Sequence, residues 1–90
     1  MKQFCNILSQ MGTEEEIWKF LKDLLNRQER MMFIRRLLIA EMLMDKKKYG
    51  QISEQLKCGY NTIARVQKLL NFGRAGYKKA IELKRKPKSR

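Results

Sequence analysis

Apolar residues recur at helical spacing along most of this chain. Phe4, Ile7, Leu8 and Met11 share one side of a helix predicted over 2–11, which Gly12 closes. Thr13 followed by Glu16 has capping-box spacing, and Glu14, Glu15 and Glu16 suit the positive end of the helix that follows. Ile17, Phe20, Leu21 and Leu24 give that second helix a stripe, with Trp18 and Leu25 as a flanking edge. Asn26 and Glu29 repeat the cap for a third helix over 27–45. Its pattern is different, because apolar residues from Met31 to Met44 occupy almost every side of the cylinder. A helix apolar all round must be enclosed. Ninety residues offer too few other elements to enclose it. The pattern therefore predicts a homodimer built around this helix, with Phe33, Ile34, Leu37, Leu38 and Met42 in the dimer core.

Asp45 to Lys48 form a charged loop, and two short helices are predicted after it, over 49–56 and 60–71. Lys57-Cys58-Gly59 separates them. Gly73 fits the glycine that ends a helix in a left-handed conformation. A last helix is predicted over 75–84. The lone proline, Pro87, lies in a basic tail, 85–90, whose composition predicts disorder. The chain thus reads as one all-α domain over 1–84. Within it, 1–45 is a dimerisation scaffold, 46–74 a helix-turn-helix region and 75–84 a C-terminal helix.

The helix-turn-helix reading rests on positions within residues 49–68. Two short helices crossing steeply need apolar contacts at fixed spacing. In a twenty-residue unit starting at Tyr49, the fourth, eighth, tenth, fifteenth and eighteenth positions are Ile52, Leu56, Cys58, Ile63 and Val66. The fifth, where the helices pack closest, is the small Ser53. One position departs from the pattern. The ninth usually takes glycine because the turn demands positive φ, and here it is Lys57.

Charge changes the picture from architecture to partner. The net charge is +12, and all of it lies in residues 46–90, since residues 1–45 balance. Such asymmetry points to nucleic acid. With Ile63 and Val66 inward, the second helix of the motif turns Tyr60, Asn61, Ala64, Arg65 and Lys68 outward, with Thr62 near its start. Asn suits adenine, Arg suits guanine, and a Thr methyl can meet thymine in the major groove. Tyr60, Asn61, Thr62, Ala64 and Arg65 are therefore the candidate base contacts. Lys46, Lys47, Lys48, Lys57, Lys68 and Arg74 are candidate phosphate contacts, together with Gly50 and Ser53 on the first helix.

Other chemistry fits poorly. The chain has no histidine, which removes imidazole metal sites and Ser–His or Cys–His catalysis. Cys5 and Cys58 match no zinc spacing and read as reduced thiols of a cytoplasmic protein. No metal, no membrane partner and no enzymatic activity are expected. The opening segment is too polar for a signal peptide, and no apolar run could span a bilayer.

Residues 25–82 resemble the Trp repressor superfamily, and within it the YerC/YecD type of Trp-repressor-related proteins. The likeness is carried by E-M-L-M-D at 41–45, Y-G-Q-I at 49–52, N-T-I-A-R-V at 61–66 and L-L-N-F-G followed by G-Y-K-K-A-I-E. The resemblance implies an interlocked all-helical homodimer and base-edge contacts near Tyr60, Asn61 and Thr62. It also implies a candidate effector pocket, because Arg35 and Arg65 stand where two arginines of Trp repressor sandwich an indole. Val66 and Leu69 replace smaller residues there and add bulk where the amino acid would lie. No cofactor is therefore expected, tryptophan included.

The leading expectation is a homodimeric, sequence-specific binder of double-stranded DNA that regulates transcription. Two alternatives stay open. One is a module binding DNA or RNA without sequence preference. The other is a DNA-binding, antitoxin-like component of a heteromeric complex.

Overall fold

The structure is a computed structural model that describes residues 1–86. Six helices occur among them, α1 (Lys2–Gln10), α2 (Glu14–Leu24), α3 (Arg27–Met44), α4 (Tyr49–Leu56), α5 (Tyr60–Phe72) and α6 (Gly76–Arg85), with no strand. For the five helices given bounds from the sequence, each boundary lies within a residue of the expected one. The 85–90 tail is the exception in kind. Arg85 closes α6 and Lys86 caps it in extended backbone, while Pro87 to Arg90 lie outside the described residues.

The chain divides into two units, Met1–Met32 and a second beginning at Phe33. The division falls inside α3. In the first unit the caps are side-chain devices. The Glu16 amide donates to Thr13 Oγ1 at 3.1 Å, and Glu16 Oε1 accepts from the Gly12 amide at 3.2 Å. Asn26 and Glu29 form the full reciprocal box, each amide donating to the other's side chain at 2.9 Å. Arg30 donates to the Leu25 carbonyl at 2.6 Å, neutralising the negative end of α2. Neither α1 nor α2 contains a buried residue, and Phe4 meets Phe20 with ring centroids 6.0 Å apart.

The second unit holds the core. Ile39, Ala40 and Leu43 from α3 meet Ile52 of α4, Ile63 and Val66 of α5, and Ile81 of α6. All four isoleucines have no solvent exposure, and full burial of each contributes about 1.5–3 kcal/mol. The α3 residues expected in a dimer core divide. Met42 packs at the edge of this core, whereas Phe33, Ile34, Leu37 and Leu38 stay exposed, at 52 %, 52 %, 37 % and 36 %.

A candidate nucleic-acid interface

α4 and α5 form the helix-turn-helix expected from residues 49–68, and all five apolar positions face inward. Ile52, Ile63 and Val66 are buried, while Leu56 and Cys58 pack against them. Lys57 adopts φ 54° and ψ 50°, so the turn keeps the left-handed geometry that glycine usually supplies, with a lysine bearing it. Its amide and that of Cys58 both reach the Ser53 carbonyl. Ser53 returns the contact: its hydroxyl donates to the Cys58 carbonyl at 2.7 Å. That hydroxyl ties the turn, which separates half-buried Ser53 from the exposed cations with which the sequence grouped it.

The loop before α4 uses the same device. Lys46 is left-handed at φ 65°, and the Lys47 amide bonds the Met42 carbonyl at 3.0 Å, closing α3 in a Schellman-type turn. This turn projects Lys46, Lys47 and Lys48 into solvent. The Lys48 amide donates to Gln51 Oε1 at 3.1 Å, so a side chain caps α4.

On α5, Asn61, Ala64, Arg65 and Lys68 are exposed, Thr62 is half-buried, and Tyr60 is 56 % exposed. Asn61, Ala64, Arg65 and Lys68 lie three or four residues apart and share one helix face. Among the described residues, none of Lys46, Lys47, Lys48, Lys57, Arg65, Lys68 and Arg74 is ion-paired. Their charge is uncompensated within the second unit. The geometry offers an exposed helical face of mixed donors, acceptors and a small residue, with exposed, unpaired cations on α5 itself and in the segments that flank α4 and α5.

Some basic residues are used internally instead. Lys84 Nζ bonds Glu41 at 2.6 Å, and Arg85 bonds Asp45 at 2.7 Å and Glu41 at 3.5 Å. The hydrogen bond from Lys84 holds the Glu41 carboxyl below the usual glutamate range; burial opposes it, and the charge of Lys84 and the contact with Arg85 add to the lowering. The sequence placed Lys84 at the end of the last helix and Arg85 in a basic tail. The partners lie about forty residues away, a separation no local pattern reveals.

Arg35 is half-buried and Arg65 is exposed, and neither lines the open cavity of about 830 Å³ in this unit. That cavity lies among α3, the end of α5 and the start of α6. Phe33, Leu37, Leu69, Phe72 and Tyr77 wall it, with Arg36 and Arg74 contributing charge. Gly73 ends α5 in extended backbone at φ −84°, not in the left-handed conformation expected of it; the left-handed residue of this connection is Ala75, at φ 64°, which precedes α6. Glycine is required at 73 for closeness, since a Cβ there would collide with the Leu69 carbonyl. No group of three potential metal ligands and no membrane-spanning helix occurs among the described residues.

Comparison with known proteins agrees with this geometry. Residues 1–85 match the family model described as Trp repressor protein. The uncharacterized protein YerC of Bacillus subtilis (strain 168) is 29 % identical over 82 residues, spanning 91 % of this chain and 79 % of that protein. A TrpR-like protein from Eubacterium eligens ATCC 27750 superposes with a TM-score of 0.86 at 27 % identity, covering 97 % of this chain and 91 % of that one. A Staphylococcus aureus structure gives the same TM-score at 22 % identity over 98 % of this chain and 88 % of that one, a likeness of fold.

Proposed function

The chain belongs to the Trp repressor protein family, a family of regulators, and from that premise we propose that it is a homodimeric, sequence-specific double-stranded DNA-binding protein that regulates transcription in the cytoplasm, most simply as a repressor. The observation that carries this reading is the exposed α5 face of Asn61, Ala64 and Arg65, bordered by cations with no acidic partner. Inserted in the major groove, Asn61 and Arg65 read base edges and small Ala64 lets the helix sit close. Lys46, Lys47, Lys48, Lys57, Lys68 and Arg74 neutralise phosphates and fix the register. No step of this function is catalytic.

Dimerisation is supported by the apolar surface left uncovered on α3 and around the open cavity. Phe72, 82 % exposed, and Phe33 would both be covered by a second copy. A dimer places two α5 helices about one DNA turn apart, ~34 Å, so its site has two-fold symmetry. Tryptophan has no role in this reading. Val66 is 2 % exposed and fills the slot beside α5 as core, and Leu69 adds further bulk. Calorimetric titration with tryptophan is expected to show no binding; a micromolar site would overturn that part.

Binding itself is tested by titrating a labelled duplex across salt. If each half of the dimer neutralises four phosphates, log K falls against log salt with a slope of about −7. A slope near zero contradicts the proposal.

A further inference from the structure

Tyr49 and Tyr60 open α4 and α5, and their rings meet edge to face with centroids 5.9 Å apart. Tyr49 is half-buried and packs against the buried core. Tyr60 is thereby connected to the core through another aromatic ring. Its hydroxyl lies over Gly50, where a built Cβ would stand only 3.3 Å from the oxygen, tighter than most side chains tolerate. Gly50 is not left-handed and ends no helix, so backbone conformation does not explain a glycine in the first turn of α4. Glycine there weakens the helix. What it supplies is room for the Tyr60 hydroxyl.

Resting on the DNA-binding reading above, we propose that Tyr60 is a positioning residue for sequence recognition: wedged between Tyr49 and Gly50, it fixes the start of α5 and so aims Asn61 and Arg65. The inference changes the part the sequence suggested for two residues. Tyr60 reads as a base contact by position, and Gly50 as a phosphate contact. In the structure the Tyr60 hydroxyl occupies the space beside Gly50, which brings together the first turns of the two helices of the motif. An aromatic pair prefers such edge-to-face geometry, and it restrains the helix start more tightly than aliphatic packing would.

The chemistry predicts a coupling. Gly50→Ala pushes on the hydroxyl, so its effect depends on that oxygen being present. For a site selected by the wild-type protein, Gly50→Ala should lower the ratio of specific to random-duplex affinity by ~5-fold or more. In a Tyr60→Phe background, which keeps the ring against Tyr49 and removes the oxygen, the same alanine should change the ratio by less than ~2-fold. Tyr60→Ala should lower discrimination at every base pair of the half-site together, and Tyr60→Phe should restore it. Additive effects of Gly50→Ala and Tyr60→Phe would overturn the proposal. So would a Tyr60→Ala loss confined to one base pair, which is the signature of a direct reader.

A second measurement needs no DNA. In the free protein, the Tyr60 ring should show nuclear Overhauser contacts to the Tyr49 ring and to the Gly50 α protons. Gly50→Ala should shift the amide resonances of Asn61 and Arg65. Absence of those contacts in the wild type overturns the positioning role. If the contacts are present while no duplex is preferred, it is the DNA-recognition reading that fails.

Discussion

Replacing Lys57 by glycine separates two roles the structure gives this residue. Lys57 holds φ 54° and ψ 50° in the turn between α4 and α5. A left-handed conformation costs an L-residue roughly 1–2 kcal/mol, and glycine escapes that cost. Glycine also gives the unfolded chain extra freedom, which returns about 0.5–1 kcal/mol. The expected net is a stabilisation of about 0.5–1 kcal/mol, or roughly 2–8 °C in Tm for a domain of this size. Thermal unfolding followed by circular dichroism measures it, at one fixed protein concentration because dimer stability depends on concentration. The same substitution removes a cation from each half of the proposed dimer. The salt slope of DNA binding should therefore become shallower by about 2. Lys57→Ala is the control, since it loses the charge and keeps the backbone cost. It should reproduce the slope change without the gain in Tm. A lower Tm for Lys57→Gly would refute the strain argument. An unchanged slope in both variants would refute the phosphate role and leave the turn geometry standing.

Gly73→Ala should destabilise the fold by about 1–3 kcal/mol, the usual cost of overpacking, because the new methyl meets the Leu69 carbonyl; denaturant unfolding measures it. Glu41 has a folded pKa below its unfolded value, so its contribution is present above the unfolded value and is lost as pH falls through the folded one. Glu41→Gln should therefore lower stability at neutral pH and flatten the acid limb of a stability–pH profile. Leu37→Glu places a charge on the exposed face of α3, and sedimentation should show a dimer for the wild type and a monomer for the variant. A wild-type monomer at micromolar concentration would contradict the dimer.

The residues also show why some of this was legible in sequence and some was not. Ile52, Ile63 and Val66 declared the helix-turn-helix because helical packing repeats at fixed intervals, and the same intervals turned Asn61, Ala64 and Arg65 outward. Thr13–Glu16 and Asn26–Glu29 declared their caps because a cap is completed within four residues. Lys57 was legible as an anomaly, and the structure resolves it by keeping the turn and placing a lysine in the left-handed conformation. Gly73 misled because glycine answers two different demands, and closeness to Leu69 was the operative one instead of positive φ. The contacts of Lys84 and Arg85 with Glu41 and Asp45, and that of Tyr60 with Gly50, depend on how helices cross. A one-dimensional pattern does not encode that crossing.

The central claim, that α5 reads a defined DNA sequence, is tested most directly by selecting duplexes from a random pool with the purified full-length protein. The account predicts enrichment of a two-fold symmetric site, its half-sites centred about 10 base pairs apart. Asn61→Ala and Arg65→Ala should each relax preference at their own positions by about 1–3 kcal/mol. A pool that shows no enriched sequence after repeated rounds, while binding stays tight and salt-dependent, would contradict the claim. The basic half would then be a non-specific nucleic-acid surface.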